Sequence, residues 1–500
     1  MKTFIFVIGG TGVRVLKSLT MLLASGVKGT STDNEIIPIV IDYDGDNGDT
    51  KLTQDILECY QKIHENAYKE KKQSHQEHFF CTPIKSLGEI VNDPAIIAKE
   101  YRYGIPLEGI DNGTTFSGYI NYDSLNVSNN TIPTRRLVES LYSSKYKNEN
   151  INEDDMRAEL HMNLRHGFRG NPNIGCVVTK QLTENKALQQ LQGQIGEGDK
   201  VFIIGSIFGG TGASGIPMVL DFFKTGNNQG TFENTKVGVL AVTPYFNLIK
   251  VDKEESPIDS NTFIAKTKAA LKAYEDTVYK LADAVYMVGD DQTNAQFKNI
   301  EGGDGQKNNA HIVELIGAMM ALDFIQRGDN ELSHSFYQFG LKNNHDASTN
   351  LVYDDFYEQT TKPYFDPMAR FVLFKHFCET YVLKKPWGQN DTWGEPTGLK
   401  DSLDFMKSNF SAFFEYFAEW IGQLEDSNYR PFKLFNLNKT DYDDLFEYNR
   451  GGSIDENKIR TYLGESTTEK ETNGVKNEEF YKGHPDELFM VNAHNALARM

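Results

Sequence analysis

The chain has 500 residues, and its 51 Lys+Arg against 70 Asp+Glu leave a formal charge of −19. That balance repels phosphate backbones and excludes extended, non-specific binding to DNA or RNA, while 39% hydrophobic residues can build a sizeable core. The four cysteines (Cys59, Cys81, Cys176, Cys378) include no CxxC pair, so neither a disulfide framework nor a zinc site is expected, and a reducing compartment fits.

Residues 4–8, FIFVI, are a short β-branched and aromatic run ending at Gly9-Gly10-Thr11-Gly12. The start resembles a signal peptide, but its apolar stretch stops at Ile8 and the next is broken by Arg14 and Lys17, so we read a strand and expect a cytoplasmic protein. No run reaches the ~18 apolar residues of a membrane span. From Val13 to Ala24 the apolar residues recur with a helical period, and 36–41, IIPIVI, read as a second buried strand closing on Asp42. Strand, glycine turn, helix and strand together imply a parallel sheet.

Residues 51–164 are polar and rich in Lys, Glu, Asn and Tyr, with helical pieces near 51–75 and 86–102 and a Gly/Asn/Thr/Ser loop at 109–133. They read as an insertion or helical subdomain. The α/β pattern resumes at 174, with a helix near 180–193 and a strand at 201–204. A second glycine turn follows, Ser206 to Gly215, and Pro217 is expected in the first turn of the next helix. Strands are expected at 237–242 and 284–288, and helices at 261–281 and 309–326, the last apolar nearly all round. After about residue 330 strand signals fade. Helices are expected at 364–383 and 402–424, the second with one apolar stripe from Leu403 to Leu424 that reads as a core or docking face. Residues 450–486 read as a loop or linker.

Glycine between a strand and a helix lets backbone N–H groups approach a phosphate closely. Two such turns, Gly9-Gly10-Thr11-Gly12 and Gly209-Gly210-Thr211-Gly212, point to a nucleotide. There is no GxxxxGK(S/T). A full GxGxxG is missing too, because its third glycine would fall on Val15 or Lys17, although Asp42 sits where a Rossmann fold holds a ribose hydroxyl. An NAD-binding Rossmann-type oxidoreductase stays open as one reading.

The stretch Phe208-Gly-Gly-Thr-Gly-Ala-Ser-Gly resembles the tubulin signature, the GGGTG(S/T)G loop of tubulin and the division protein FtsZ. IFVIGGTG (5–12) is similar to the family's first phosphate loop, IDYDGDNG (41–48) to its segment after the second strand, and GNPNIG (170–175) to the loop facing the terminal phosphate. Val242-Thr243-Pro244-Tyr245 and the 272–291 stretch follow in family order, and 309–326 would be the central helix. The resemblance implies an α/β, tubulin/FtsZ-like GTPase-type domain with a parallel sheet between helices, made of residues 1–50 and 165–326, and a mainly helical C-terminal domain over 327–500. It further implies GTP or GDP, with Mg carried by the nucleotide. Residue by residue, Gly9, Gly10, Thr11 and Gly12 would line the α- and β-phosphates, Gly209, Gly210, Thr211 and Gly212 would cradle the diphosphate, and Gly170 and Asn171 would approach a γ-phosphate.

Departures from the family fall at informative places. Arg14 stands where the family has a base-contacting asparagine, so it would stack on the base, bind a phosphate, or be a plain surface arginine. Phe208 replaces a glycine. Arg165, His166 and Arg169 precede the phosphate-facing loop and could neutralise phosphates. Asp42 and Asp44 are candidates for magnesium-bound water or ribose, and Thr243 and Asn309 for nucleotide contact. His311 and Glu314 could be a metal pair, with base or ribose contact plus core packing the plainer reading, and no metal site built of protein ligands alone is expected. The family's acidic catalytic loop after the central helix is not recognisable. Asp329, Glu331, Asp354 and Asp355 are its weak candidates, which leaves a GTPase activity open. The expected function is nucleotide-dependent self-assembly into an oligomer or filament, or a nucleotide-gated scaffold. The alternative is a non-hydrolysing nucleotide-binding subunit that meets a partner protein in a multiprotein complex, by analogy with plasmid, phage or defence systems.

Overall fold

Six strands of mainly valine, isoleucine and phenylalanine pair in parallel: β1 (Lys2–Ile8), β2 (Glu35–Ile41), β3 (Lys200–Ser206), β4 (Lys236–Val242), β5 (Ala284–Val288) and β6 (Ser335–Gln338). Their spatial order is β2-β1-β3-β4-β5-β6. The computed structural model describes residues 1–44, 47–69, 72, 74–92, 102–105, 109–111, 113–126, 132–142, 159–225, 232, 234–249, 260–291, 296–298, 303, 305–342, 349–383, 403–427, 430–450, 453–468 and 471–500. The first four strands are buried on both faces, as the continuous apolar runs require, so helices must cover both sides.

The period-two alternation divides the core. Phe4, Phe6 and Ile8 of β1 and Val201 and Ile203 of β3 face α3 (Pro172–Thr179) and α4 (Gly210–Lys224), with Tyr274 of α5 (Phe263–Asp276). Ile5 and Val7, with Phe202 and Ile204, face the other layer: α1 (Gly9–Ala24), α2 (Gly48–Ala67) and α6 (Ile312–Gln326). All of α6 is buried except Asp323 and Gln326. Behind it lie α7 (Phe365–Phe377) and α8 (Leu403–Glu425), whose Phe410, Phe413, Phe414, Phe417 and Trp420 belong to the same apolar core. The α8 stripe is therefore a core face. Trp420 Nε1 donates to Ser18 Oγ at 3.2 Å, tying α8 to α1.

Several local expectations are corrected. Pro217 lies inside α4, which begins at Gly210. Strand β6 follows residue 330 and pairs with β5; only four residues long and partly exposed, it carries little apolar signal. The 450–486 stretch contains α9 (Glu456–Thr468), which buries Ile459 and Leu463, and a small hairpin of Glu471–Thr472 with Val475–Lys476. It leads into α10 (Pro485–Leu497). The first helical piece of the insertion runs over 48–67 instead of 51–75. The second is a single turn, Leu87–Val91, ended by Asn92 in the left-handed conformation (φ 53), and residues 93–101 of that expectation lie outside the described residues. The four cysteines are free and Cys176 is exposed. Among the described residues no helix is long and apolar enough to cross a membrane.

Candidate functional site: a cleft where the sheet order reverses

From β1 the chain moves to β2 on one side, while β3, β4, β5 and β6 build the sheet outward on the other. In open parallel sheets ligands bind beyond the carboxyl ends of the strands at such a reversal. Here Ile8 at the end of β1 is level with Gly205 of β3. β1 runs directly into α1 at Gly9, and β3 turns through Ser206–Gly209 into α4 at Gly210.

The glycines let these turns interlock. Gly9 has φ +69, and a side chain there would press on Thr211 Cβ at 3.3 Å. A Cβ on Gly210 would lie 2.8 Å from Phe168 Cβ and 3.1 Å from the Asn171 nitrogen, which brings the 167–171 loop against the second turn. The starts of α1, α4 and α3 thus meet in one place. None of the three has a side-chain cap, whereas α2 is capped by Asn47 and α6 by His311. The first turns of α1 and α4 line one cleft, with the 167–170 loop before α3 beside them, and helix starts with unpaired N–H groups suit an anion.

Of the sequence candidates, Gly9, Gly10, Thr11, Arg14, Asp42, Asp44, Arg169, Gly170, Phe208, Gly209, Gly210, Thr211 and Gly212 line this cleft. Four do not. Gly12 is a packing glycine: a Cβ would meet the Ile204 oxygen at 2.9 Å, so it lets α1 lie on the sheet. Asn171 precedes α3, and its Nδ2 turns back to donate to the Arg169 oxygen at 3.4 Å. Thr243 donates N–H and hydroxyl to the Val288 oxygen at 2.8 and 3.2 Å. Asn309 is exposed; its neighbour Asn308 lines the cleft instead.

Arg14 is 3% exposed, contrary to the surface-arginine reading. Its Nε donates to Glu314 Oε1 at 2.6 Å, one Nη to the Tyr245 hydroxyl at 2.7 Å, and the other to Asp49 Oδ2 at 3.4 Å. Tyr245 in turn donates to Glu314 Oε1 at 2.7 Å. Burial alone would weaken the guanidinium charge, but Tyr245, Glu314 and Asp49 hold it firmly, so its pKa is raised. Asp49 is pushed up by burial, with Arg14 and Lys17 opposing. Glu314 Oε2 also accepts from the His311 N–H at 3.1 Å, and His311 Nδ1 accepts from the Val313 N–H. Glu314 is thereby engaged in capping α6 and holding Arg14, and His311 caps α6 through Nδ1. Among the described residues no cluster of His, Cys, Asp and Glu could hold a metal.

Half-buried Asp42 is lifted to about 7, chiefly by loss of water and secondarily by the charge of Asp44. Asp44 Oδ2 accepts from the Gly303 N–H at 2.8 Å. The catalytic-loop candidates lie elsewhere. Arg327, at the end of α6, accepts through its carbonyl from Lys200 Nζ at 2.5 Å, and Lys200 begins β3. Asp329 and Glu331 follow at that edge, a strand length (~20 Å) from the cleft. Asp355 is buried and accepts from the Val352 N–H, while Asp354 is exposed, 3.6 Å from Lys362 Nζ.

Sequence reasoning missed one wall of the cleft: Phe246, Leu248 and Phe263 with Lys298, and the amides of Asn47, Gln306 and Asn308. Phe208 packs on Phe246 and Phe263 at ring distances of 5.5 and 4.9 Å. The strand pair that helps form this wall, Asn247–Ile249 with Gln296–Lys298, is only three residues long on each side, too short for a periodic signal. Asn47 had a local signal, as the Asn before Gly-Asp-Thr that caps α2.

No family model matches the chain, and no curated protein does. Among solved structures, CetZ from Methanosaeta thermophila strain DSM 6194 is similar over 66% of this chain, at 12% identity and a TM-score of 0.30. The match spans 57% of the CetZ chain.

Proposed function

We propose that the chain binds a nucleotide, GTP or GDP, between its two glycine turns, as a divergent member of the tubulin/FtsZ superfamily, and acts through nucleotide-dependent self-assembly or as a nucleotide-gated scaffold. The observation that carries this reading is the convergence of two glycine-rich helix starts without side-chain caps, α1 and α4, on one cleft at the reversal of sheet order. Six sequence blocks in family order add to it.

In this reading the turns at Gly9–Thr11 and Gly209–Gly212 surround the phosphates, and Arg14 and Arg169 supply cations in an acidic chain. Asp42 and Asp44 offer oxygen donors of the kind that hold a nucleotide's magnesium through water, an ion that would offset phosphate charge. The cleft has a volume of about 170 Å³, and Phe246, Leu248 and Phe263 give it an apolar wall against which the base would lie.

Asp329 and Glu331, at the far edge of the sheet, could approach a cleft only in a second copy, so any hydrolysis through them would require stacked subunits. Without stacking, the chain would hold nucleotide as a non-hydrolysing subunit of a larger complex. Denaturing the purified protein, identifying the released nucleotide, and imaging the native protein with GTP by electron microscopy tests the reading. Guanine nucleotide with filaments supports self-assembly, and guanine nucleotide on a discrete particle supports the subunit role. A released dinucleotide overturns both in favour of an NAD enzyme.

A further inference from the structure

Two amides on the wall of the cleft, Asn47 and Gln306, fix each other's orientation. Asn47 caps α2: its Oδ1 accepts from the Asp49 N–H at 2.9 Å and from the Thr50 N–H at 3.2 Å. An amide whose oxygen is taken by a helix cap has its nitrogen left to offer, and Asn47 Nδ2 donates to Gln306 Oε1 at 2.9 Å. Gln306 is oriented in turn. Its Oε1 is spent on Asn47, and its Nε2 donates to no group among the described residues, so the amide offers the cleft N–H alone. The backbone holds the pair in register: the Asp49 N–H also donates to the Gln306 carbonyl at 3.2 Å, and the Gly48 N–H to the Gly303 carbonyl at 3.2 Å. Asn47 is buried, while Gln306 is half-buried.

We propose that Asn47 and Gln306 form a relay that sets the hydrogen-bonding polarity with which the cleft reads a purine: donors only, so that it takes a 6-oxopurine in preference to a 6-aminopurine. The inference rests on the nucleotide reading above and names the residues that choose the base. Gln306 would touch the base, and Asn47 is its positioning residue. A glutamine pairs with adenine through both ends of its amide, the oxygen to the 6-amino group and the nitrogen to N7, whereas the same edge of guanine presents two acceptors, O6 and N7. With Oε1 committed to Asn47, Gln306 suits the guanine-type edge and cannot complete the adenine pairing. A phosphate is the poorer acceptor for the same N–H, because two carboxylates flank this segment and would repel it. Asp44 Oδ2 accepts from the Gly303 N–H at 2.8 Å, and Asp49 Oδ1 from the Asn308 N–H at 3.3 Å. An uncharged carbonyl meets no such repulsion.

Calorimetry on the nucleotide-free protein with GDP, inosine diphosphate and ADP tests the relay. Inosine diphosphate shares the 6-oxo group of GDP and lacks its 2-amino group, so it isolates the edge that Gln306 would meet. Both 6-oxo ligands should bind about tenfold or more tighter than ADP. Asn47→Asp keeps a good cap on α2 but turns the donor toward Gln306 into an acceptor. The Gln306 amide should then turn over, present Oε1, and erase or reverse the preference, while the added charge weakens all three ligands alike. Gln306→Met removes the donor and should erase the preference with the cap intact. A merely structural Asn47 would change the affinities and leave their ratio alone. An unchanged GDP:ADP ratio in both variants overturns the relay while nucleotide binding stands, and so does ADP binding as tightly as inosine diphosphate in the unmutated chain. Binding of none of the three overturns the nucleotide reading and the relay with it. If Asn47→Asp does not fold, the ratio in Gln306→Met decides.

Discussion

The hydroxyl of Tyr274 donates a 2.9 Å hydrogen bond to the carbonyl of Ala213, the α4 carbonyl four residues before Pro217. Proline has no N–H, so that carbonyl loses its helical partner, and Tyr274, buried at 2% exposure, replaces it from α5. A glycine-rich helix start can thereby continue through proline into the core. Tyr274→Phe should lower stability by ~1–3 kcal/mol in chemical denaturation, the cost of an unsatisfied buried carbonyl. In a Pro217→Ala background residue 217 regains an N–H, and the same substitution should cost less. Equal costs in both backgrounds would show that the bond does not substitute for the missing helical one.

The Arg14 network predicts a second asymmetry. Arg14 and Glu314 are buried partners at 2.6 Å, and removing one end of such a pair costs ~3–5 kcal/mol because the other charge is stranded. Arg14→Met should therefore destabilise strongly. Arg14→Met combined with Glu314→Gln should recover much of the loss while binding nucleotide more weakly than the unmutated chain. Thermal denaturation with and without GTP separates the two effects. Full recovery of both stability and binding would assign Arg14 to packing alone.

The sequence exposed the backbone logic of the cleft better than its side-chain logic. Glycines at 9, 10, 209, 210 and 212 were readable because a strand, a glycine turn and a helix follow one another within a few residues. Gly12 shows the limit, since close helix–sheet packing demands glycine for reasons a phosphate reading cannot separate. The sequence leaves Arg14 open between base, phosphate and surface because its partners Glu314, Tyr245 and Asp49 are distant in sequence, 300 residues away for Glu314. Strand β6 was missed because an edge strand of four residues, with Phe336 at 59% exposure, lacks the apolar run that marked β1 to β4. Helix α9 was missed because few of its positions face the core.

Asp42 predicts a pH dependence. Its carboxyl is lifted to about 7, mainly by burial, so raising pH through neutrality places a negative charge beside any phosphate in the cleft. In the absence of divalent cations, affinity for GDP should fall from about pH 6 to about pH 8, and the Asp42→Asn profile should be flatter. The stability sign follows from linkage. A carboxyl with a raised folded pKa holds its proton more tightly when folded, so its contribution favours folding at low pH and is lost as pH rises through about 7. Asp42→Asn should thus gain stability over the unmutated chain at alkaline pH and little near pH 4. A steeper affinity profile in the variant would place the titrating group elsewhere.

Arg169 tests which phosphate the 167–171 loop would meet in the proposed nucleotide reading. It is a non-glycine residue at φ +44, followed by Gly170 at φ +75, directly before the uncapped start of α3. A side chain held in that region costs energy that glycine would avoid. The loop touches the second glycine turn through Gly210, and Arg169 lines the cleft; in the proposed nucleotide reading it would meet the terminal phosphate. Arg169→Ala should weaken GTP binding about tenfold more than GDP binding, a difference of ~1.4 kcal/mol by calorimetry. Arg169→Gly relieves the backbone while removing the same charge, so it should show the same selective loss with unchanged or higher stability. Equal losses for GTP and GDP in both variants would move Arg169 from the terminal phosphate to the body of the cradle.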